Sequence, residues 1–234
     1  MSLSVLAIIP AYNEEKSIAQ VIRKIKSCRP ETDIVVVNDG STDGTSRAAR
    51  STGLARVVDL PVNVGIGGAM QTGYLYADRL GYDIAVQIDG DGQHDPEELD
   101  NVISTVASGE TDCCVGSRFL HGASYRSTAF RRTGIAFFAW MIHWMVGKKV
   151  TDPTSGFRAV NRDVIALFAR YYPYDYPEVE AIAMLVRRGY RVTETPVRMH
   201  SRQAGKSSIT PAKSMYYMMK VSLAVLMTRI RDVR

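Results

Sequence analysis

Short apolar runs alternate with stretches of helical period through the first half of the chain. Val5 to Ile9, Ile34 to Val37, Arg56 to Asp59, Ile84 to Ile88 and Cys113 to Val115 read as strands, since strands covered on both faces appear as near-continuous hydrophobic runs. Between the first two, Ile18, Val21, Ile22 and Ile25 recur at helical spacing and make one apolar stripe. Asn13 suits the cap of that helix, and Glu14 and Glu15 suit its positive N-terminal end. A second helix is predicted from about Gly68 to Leu80, and a third from Pro96, because proline is tolerated in a first turn. This alternation predicts an α/β fold with a mainly parallel central sheet and helices on both faces.

The second half is less regular. The pattern predicts a long helix through the 130s and 140s, helices near Val164 to Phe168 and Val179 to Arg188, and a strand near Arg191 to Arg198. Thr210 and Pro211 pair an N-cap with a first-turn proline, which predicts a last helix to about Ile230. One domain over residues 1–210 and an amphipathic, basic C-terminal helix over 211–234 are therefore expected, with no repeat and no low-complexity linker.

A hydrophobic fraction of 46% supplies a substantial core and excludes global disorder. Lys and Arg exceed Asp and Glu by 29 to 24, which suits an anionic partner without choosing among nucleic acid, phospholipid head groups and phosphorylated substrates. Cys28, Cys113 and Cys114 make an odd count without zinc-site spacing and fit a reducing compartment. The N-terminal apolar stretch lacks a basic flank and ends in Pro10, so it reads as a strand rather than a signal peptide. The apolar runs 135–147 and 215–227 fall short of the ~20 residues that span a bilayer.

Candidate chemistry concentrates where the strand Ile84 to Ile88 ends. Asp89, Gly90, Asp91, Gly92 and Gln93 follow it into a turn, and open α/β sheets place ligands at the carboxyl ends of their strands. Asp89 and Asp91 can present hard oxygens to Mg²⁺ or Mn²⁺, with the Gln93 amide oxygen as a third ligand. Such a cation can bridge a diphosphate and neutralise the charge that grows on it as a leaving group. Taken alone, the same residues also describe an acidic surface turn. Their company favours the first reading, because PAYNEE, VVVNDGSTDGT and NVGIGGAMQTG bring small and polar residues suited to a nucleotide to three further connections. Asp39 can accept from a base or ribose, and Gly65, Gly67 and Gly68 let backbone approach a ligand.

PAYNE, NDGSTDGT, NVGIGGAMQTG, DGDGQHDPEEL and GSR, in this order and spacing, resemble the family-two glycosyltransferases of the dolichol-phosphate mannose synthase type over roughly residues 4 to 210. The resemblance implies a GT-A (Rossmann-like) fold for the catalytic domain, inversion at the sugar carbon and a nucleotide-sugar donor, either UDP- or GDP-linked. It also implies a polyprenyl (undecaprenyl or dolichyl) phosphate acceptor. Matched residue by residue, Pro10, Tyr12 and Glu14 correspond to the first nucleotide-contacting loop, Asp39 to the base and ribose site, and Asp89, Asp91 and Gln93 to the metal site. Arg118, Arg131, Arg202 and Lys206 correspond to basic positions that hold phosphates, a task suited to the planar guanidinium fork. Asn38 departs from the family, in which many members carry an aspartate there, and the family's common C-terminal transmembrane helices are missing.

A polyprenyl phosphate acceptor is already anionic and needs no base. A saccharide hydroxyl acceptor, the alternative in cell-surface polysaccharide synthesis, needs a carboxylate, and Asp152 is the candidate. Phe137, Phe138, Trp140, Met141, Trp144 and Met145, with His143, Lys148 and Lys149, suit either an interfacial helix or core and dimer packing. The expected location is the cytoplasmic side, peripheral on the membrane, with no nucleic-acid partner and with a homo-oligomer left open. An aspartyl phosphatase is disfavoured because its DxD turn normally follows the first strand. A nicotinamide-binding domain is disfavoured because GIGGAM lacks the third glycine of GxGxxG. A noncatalytic nucleotide-sugar-binding scaffold is the remaining rival.

Overall fold

In the computed structural model, residues 3–120, 129–147, 149–174 and 177–200 are described. The expected C-terminal helix, Arg202 and Lys206 lie outside them, as does the side chain of Arg131. The first apolar run is β1, Val5–Ala11, buried along its whole length as a central strand must be. It is followed by α1 (Ile18–Cys28), β2 (Asp33–Asn38), α2 (Thr45–Ser51), β3 (Arg56–Asp59), α3 (Gly65–Leu80) and β4 (Ile84–Gln87). A 3₁₀ turn, Pro96–Glu98, leads into α4 (Leu99–Ala107), and β5 (Cys113–Ser117), α5 (Ala129–Val146), β6 (Arg158–Asn161), α6 (Arg162–Arg170), α7 (Pro177–Arg187) and β7 (Val192–Pro196) complete the order.

The strands form one sheet in the order β3-β2-β1-β4-β6-β5-β7. Neighbours pair in parallel except around β6, which runs antiparallel to both β4 and β5. On one face Leu6, Ile8, Met70, Tyr74, Phe168 and Ile182 share a core with α3, α6 and α7. On the other, Ile9, Ile18, Ile22, Val86, Val102 and Phe157 pack with α1 and α4. The stripe anticipated on α1 is the buried one: Ile18, Val21, Ile22 and Ile25 all point inward, and burying such a side chain stabilises by about 1.5–3 kcal/mol.

Asn13 does not cap α1, which begins five residues later with Ser17 at its N-cap. Asn13 instead takes a left-handed φ of 56°, and its Oδ1 accepts from the Thr42 N–H. Glu14 and Glu15 accordingly precede the helix rather than line its first turn. Asp95 caps the 3₁₀ turn, accepting from the Glu97 N–H, which explains why the chain turns at Pro96. The strand β6 and the helix α2 are additions to the elements expected from the pattern. Among the described residues, no helix is long and apolar enough to cross a membrane. The large apolar residues of α5 divide: Phe138 and Met141 are buried, whereas Phe137, Trp140 and Trp144 are exposed.

Candidate active site

The connections that follow β1 and β2 are laced together at the carboxyl edge of the sheet. Asn13 N donates to Ser41 Oγ, Glu14 N to Thr45 Oγ1 and Gly44 N to the Glu15 carboxylate. Glu14 also accepts from Ser17 Oγ at 2.8 Å. Pro10 is buried within β1, paired with Val37, whereas Tyr12 just beyond it is exposed. Asp39, at the end of β2, accepts from the N–H groups of Val64 (2.7 Å) and Gly65 (3.0 Å). It therefore serves the N-terminal end of α3, where unpaired N–H groups and the helix dipole favour a negative charge. Asn38 donates to Asp59 on β3, so the residue that departs from the family pattern is used inside the sheet edge.

Asp91 is buried, and its Oδ1 accepts from the Gln93 N–H at 2.9 Å, which closes the turn. The Asp89 carboxylate is about one third exposed. Gly156 borders it closely: a Cβ there would sit 3.5 Å from each Asp89 oxygen and 2.9 Å from the Gln87 amide nitrogen. A larger residue at position 156 would crowd the Asp89 carboxylate and the Gln87 amide. No group of three His, Cys, Asp or Glu side chains converges as a metal cage among the described residues. Two carboxylates with the remaining positions left to water and substrate oxygens is the ligand economy typical of Mg²⁺ with phosphates, so Asp89 and Asp91 fit that group.

The end of β5 carries a buried ion pair. Arg118 Nε and Nη2 each contact the Asp152 carboxylate at 2.6 Å, the Arg118 backbone N–H adds a third bond at 3.0 Å, and Thr154 Oγ1 accepts from Nη2. Glu194 on β7 holds this loop by accepting from the N–H groups of Thr151 and Asp152, and burial raises its carboxyl above the ordinary carboxylate range. Both Asp152 oxygens face the guanidinium, so an acceptor hydroxyl could not reach them without displacing Arg118.

At Gly67 the close approach is made by the chain itself. A Cβ would lie 2.1 Å from the Tyr174 carbonyl oxygen and 2.4 Å from that of Pro173. The stretch 171–174 thereby packs directly on the first turn of α3. The segment after β7 also returns to the DGDGQH turn through His200. His200 N donates to the Gln93 carbonyl, and His200 Nε2 lies 2.9 Å from Asp95, whose other oxygen is held by Lys24 at 2.8 Å. Although burial alone would raise it, the Asp95 carboxyl is lowered by these partners, chiefly by the hydrogen bond from Lys24.

Sequence reasoning missed His94, Gln87, Gly156, Glu194 and His200. His94 had a signal in its place in DGDGQH, and Gln87 in its place two residues before Asp89 on the same strand; Gly156, Glu194 and His200 meet the site across gaps that no local pattern reveals.

The mixed seven-stranded sheet, with the carboxyl ends of β1, β2, β4 and β5 along one edge, defines a GT-A-like fold, the architecture of its glycosyltransferase structural neighbours. Glucosyl-3-phosphoglycerate synthase from Mycobacterium tuberculosis, solved with Mn²⁺, uridine diphosphate and phosphoglyceric acid, superposes with a TM-score of 0.75 at 22% identity, over 97% of this chain and 78% of that one. The chain belongs to glycosyl transferase family 2, whose model matches residues 6–168. It is 30% identical to the polyprenol monophosphomannose synthase of Mycolicibacterium smegmatis, over 93% of this chain and 85% of that protein. Identity to the undecaprenyl-phosphate mannosyltransferase of Micrococcus luteus is also 30%, over 89% of this chain and 88% of that protein.

Proposed function

We propose that this glycosyltransferase moves a hexose from a UDP- or GDP-linked donor to a polyprenyl phosphate at a membrane surface, with inversion at the sugar carbon. The observation that carries the reading is the Asp89–Asp91 turn at the carboxyl edge of the sheet, within a chain 30% identical almost end to end to a polyprenol monophosphomannose synthase. In the reaction, a phosphate oxygen of the acceptor forms a bond to the anomeric carbon as the bond from that carbon to the nucleoside diphosphate oxygen breaks. The bonding electrons leave with the nucleotide. Asp89 and Asp91, with Gln93, hold Mg²⁺ or Mn²⁺, which when bound neutralises charge on the departing diphosphate.

The chain's own residues supply position and charge. The acceptor oxygen is already anionic, so no base is needed, and catalysis reduces to alignment and electrostatic stabilisation. The closed Arg118–Asp152 pair supports this reading over transfer to a saccharide hydroxyl, which would need a carboxylate free to take a proton. Asp152 holds Arg118 in place, and Arg118 acts through the fixed geometry of the pair. Arg131, Arg202 and Lys206 take the phosphates, Pro10, Tyr12 and Glu14 border the nucleotide, and Asp39 bounds its base and ribose.

The exposed row of Phe137, Trp140 and Trp144 supports peripheral attachment of α5 to lipid, since these side chains share one helix face while Phe138 and Met141, on the flank beside it, anchor the helix in the core. The test is to incubate the protein with UDP- and GDP-hexoses and polyprenyl phosphate, then identify the lipid product by mass spectrometry. Chelator-sensitive glycolipid formation is expected. Donor binding without transfer to any acceptor would favour a scaffold, and a wild-type rate in Asp91→Ala would defeat the metal assignment.

A further inference from the structure

His94 ends the DGDGQH stretch, and no step above uses it. Its ring is buried and stacked on Phe157, with centroids 5.1 Å apart and planes 17° from parallel. Nδ1 accepts from the Asp89 backbone N–H at 3.0 Å. A ring nitrogen that accepts carries no proton, so in the neutral imidazole the proton resides on Nε2. Nε2 lies 3.5 Å from Asp89 Oδ2. One rigidly stacked imidazole therefore meets the same aspartate at its backbone and at its carboxylate. Gly156 borders both oxygens on another side, and the Gln87 amide stands 3.5 Å from Oδ1.

We propose that His94 is a positioning residue for the cation site, holding the Asp89 backbone with one nitrogen and orienting its carboxylate with the other. The inference rests on the assignment of Asp89 and Asp91 as metal ligands. A carboxylate on a glycine-flanked turn loses rotational freedom when it binds a cation, and a donor fixed beside it removes part of that loss in advance. Partners of this kind orient ligands, and their removal typically costs ~10–100-fold in metal affinity. The stack on Phe157 keeps the imidazole from following the carboxylate, so His94 sets the geometry rather than adapting to it.

The test measures Mn²⁺ binding to the full chain by the electron paramagnetic resonance signal of free Mn²⁺, with and without UDP or GDP, beside thermal midpoints. His94→Phe keeps the stacked ring and removes both nitrogens. His94→Asn keeps an acceptor for the Asp89 N–H and removes the group facing Oδ2. Both are expected to weaken Mn²⁺ binding by ~10–100-fold, and His94→Asn to do so while still unfolding in a single cooperative thermal transition, at a midpoint lowered by the lost stack on Phe157. If His94→Phe fails to fold, His94→Asn decides. A folded His94→Asn with wild-type Mn²⁺ affinity overturns the positioning role alone, whereas a wild-type protein that binds no Mn²⁺ with either nucleotide overturns both this role and the metal assignment.

Discussion

Arg118 and Asp152 close on each other through two 2.6 Å contacts, with the arginine 5% exposed and the aspartate fully buried. Removing one member of such a pair strands the other charge in a low-dielectric surrounding, at a cost of about 3–5 kcal/mol. Asp152→Ala is expected to lose that much in urea denaturation. Replacing both residues, as Arg118→Met with Asp152→Leu, is expected to recover much of it, because no unpaired charge is left. A double variant as unstable as Asp152→Ala would show that the loop geometry, not the charge, accounts for the loss.

Asp39 spans from β2 to the start of α3, where Val64 at the N-cap position offers no side-chain acceptor of its own. Asp39→Ala leaves those N–H groups to water and should cost about 0.5–2 kcal/mol, the usual range for a lost N-cap. Asp39→Asn, which keeps an acceptor oxygen, should cost less. Thermal unfolding of the two variants checks the ordering.

Gly67→Ala places a methyl group against the backbone of Pro173 and Tyr174, which cannot rotate away as a side chain would. A destabilisation of about 1–3 kcal/mol is expected, as for overpacking in a core. Hydrogen exchange should show faster exchange at residues 171–174 together with the first turn of α3.

Asp112 links the start of β5 to β7, and the side-chain hydrogen bond from Arg191 holds its carboxyl below the ordinary value of 3.8. A depressed folded-state value means that the contribution is present above the unfolded carboxylate value, ~3.9, and is lost as pH falls through the lower folded one. Asp112→Asn should therefore be less stable than wild type at neutral pH, with the gap narrowing as the solution is acidified below about pH 4. Salt should also narrow it, since Arg191 is well exposed. Denaturant midpoints across pH read this directly.

If α5 rests on lipid, replacing Trp140 and Trp144 together with alanine removes two large apolar side chains from the contact. Binding to anionic vesicles should fall by about tenfold or more, with little change in thermal stability because both residues are exposed. Unaltered vesicle binding would remove α5 from the membrane face.

The alternation of strands and helices, the buried stripe of α1 and the placement of Asp89 and Asp91 at a strand end were legible in the sequence, because each depends on side-chain periodicity or turn chemistry within a dozen residues. The strand β6 was not. Its four residues, RAVN, begin with a buried arginine, and it becomes a strand only because β4 and β5 both offer it hydrogen-bonding partners. The same limit applies to pairings across long gaps. Tertiary structure alone brought Asp152 onto Arg118, Tyr174 onto Gly67, Gly156 beside Asp89 and His200 onto the DGDGQH turn. Nothing in local composition encodes such contacts, since they form only when the sheet order sets distant loops side by side. The residue types at the carboxyl edge of the sheet are thus a property of the chain, and which of them are spoken for by one another is a property of the fold.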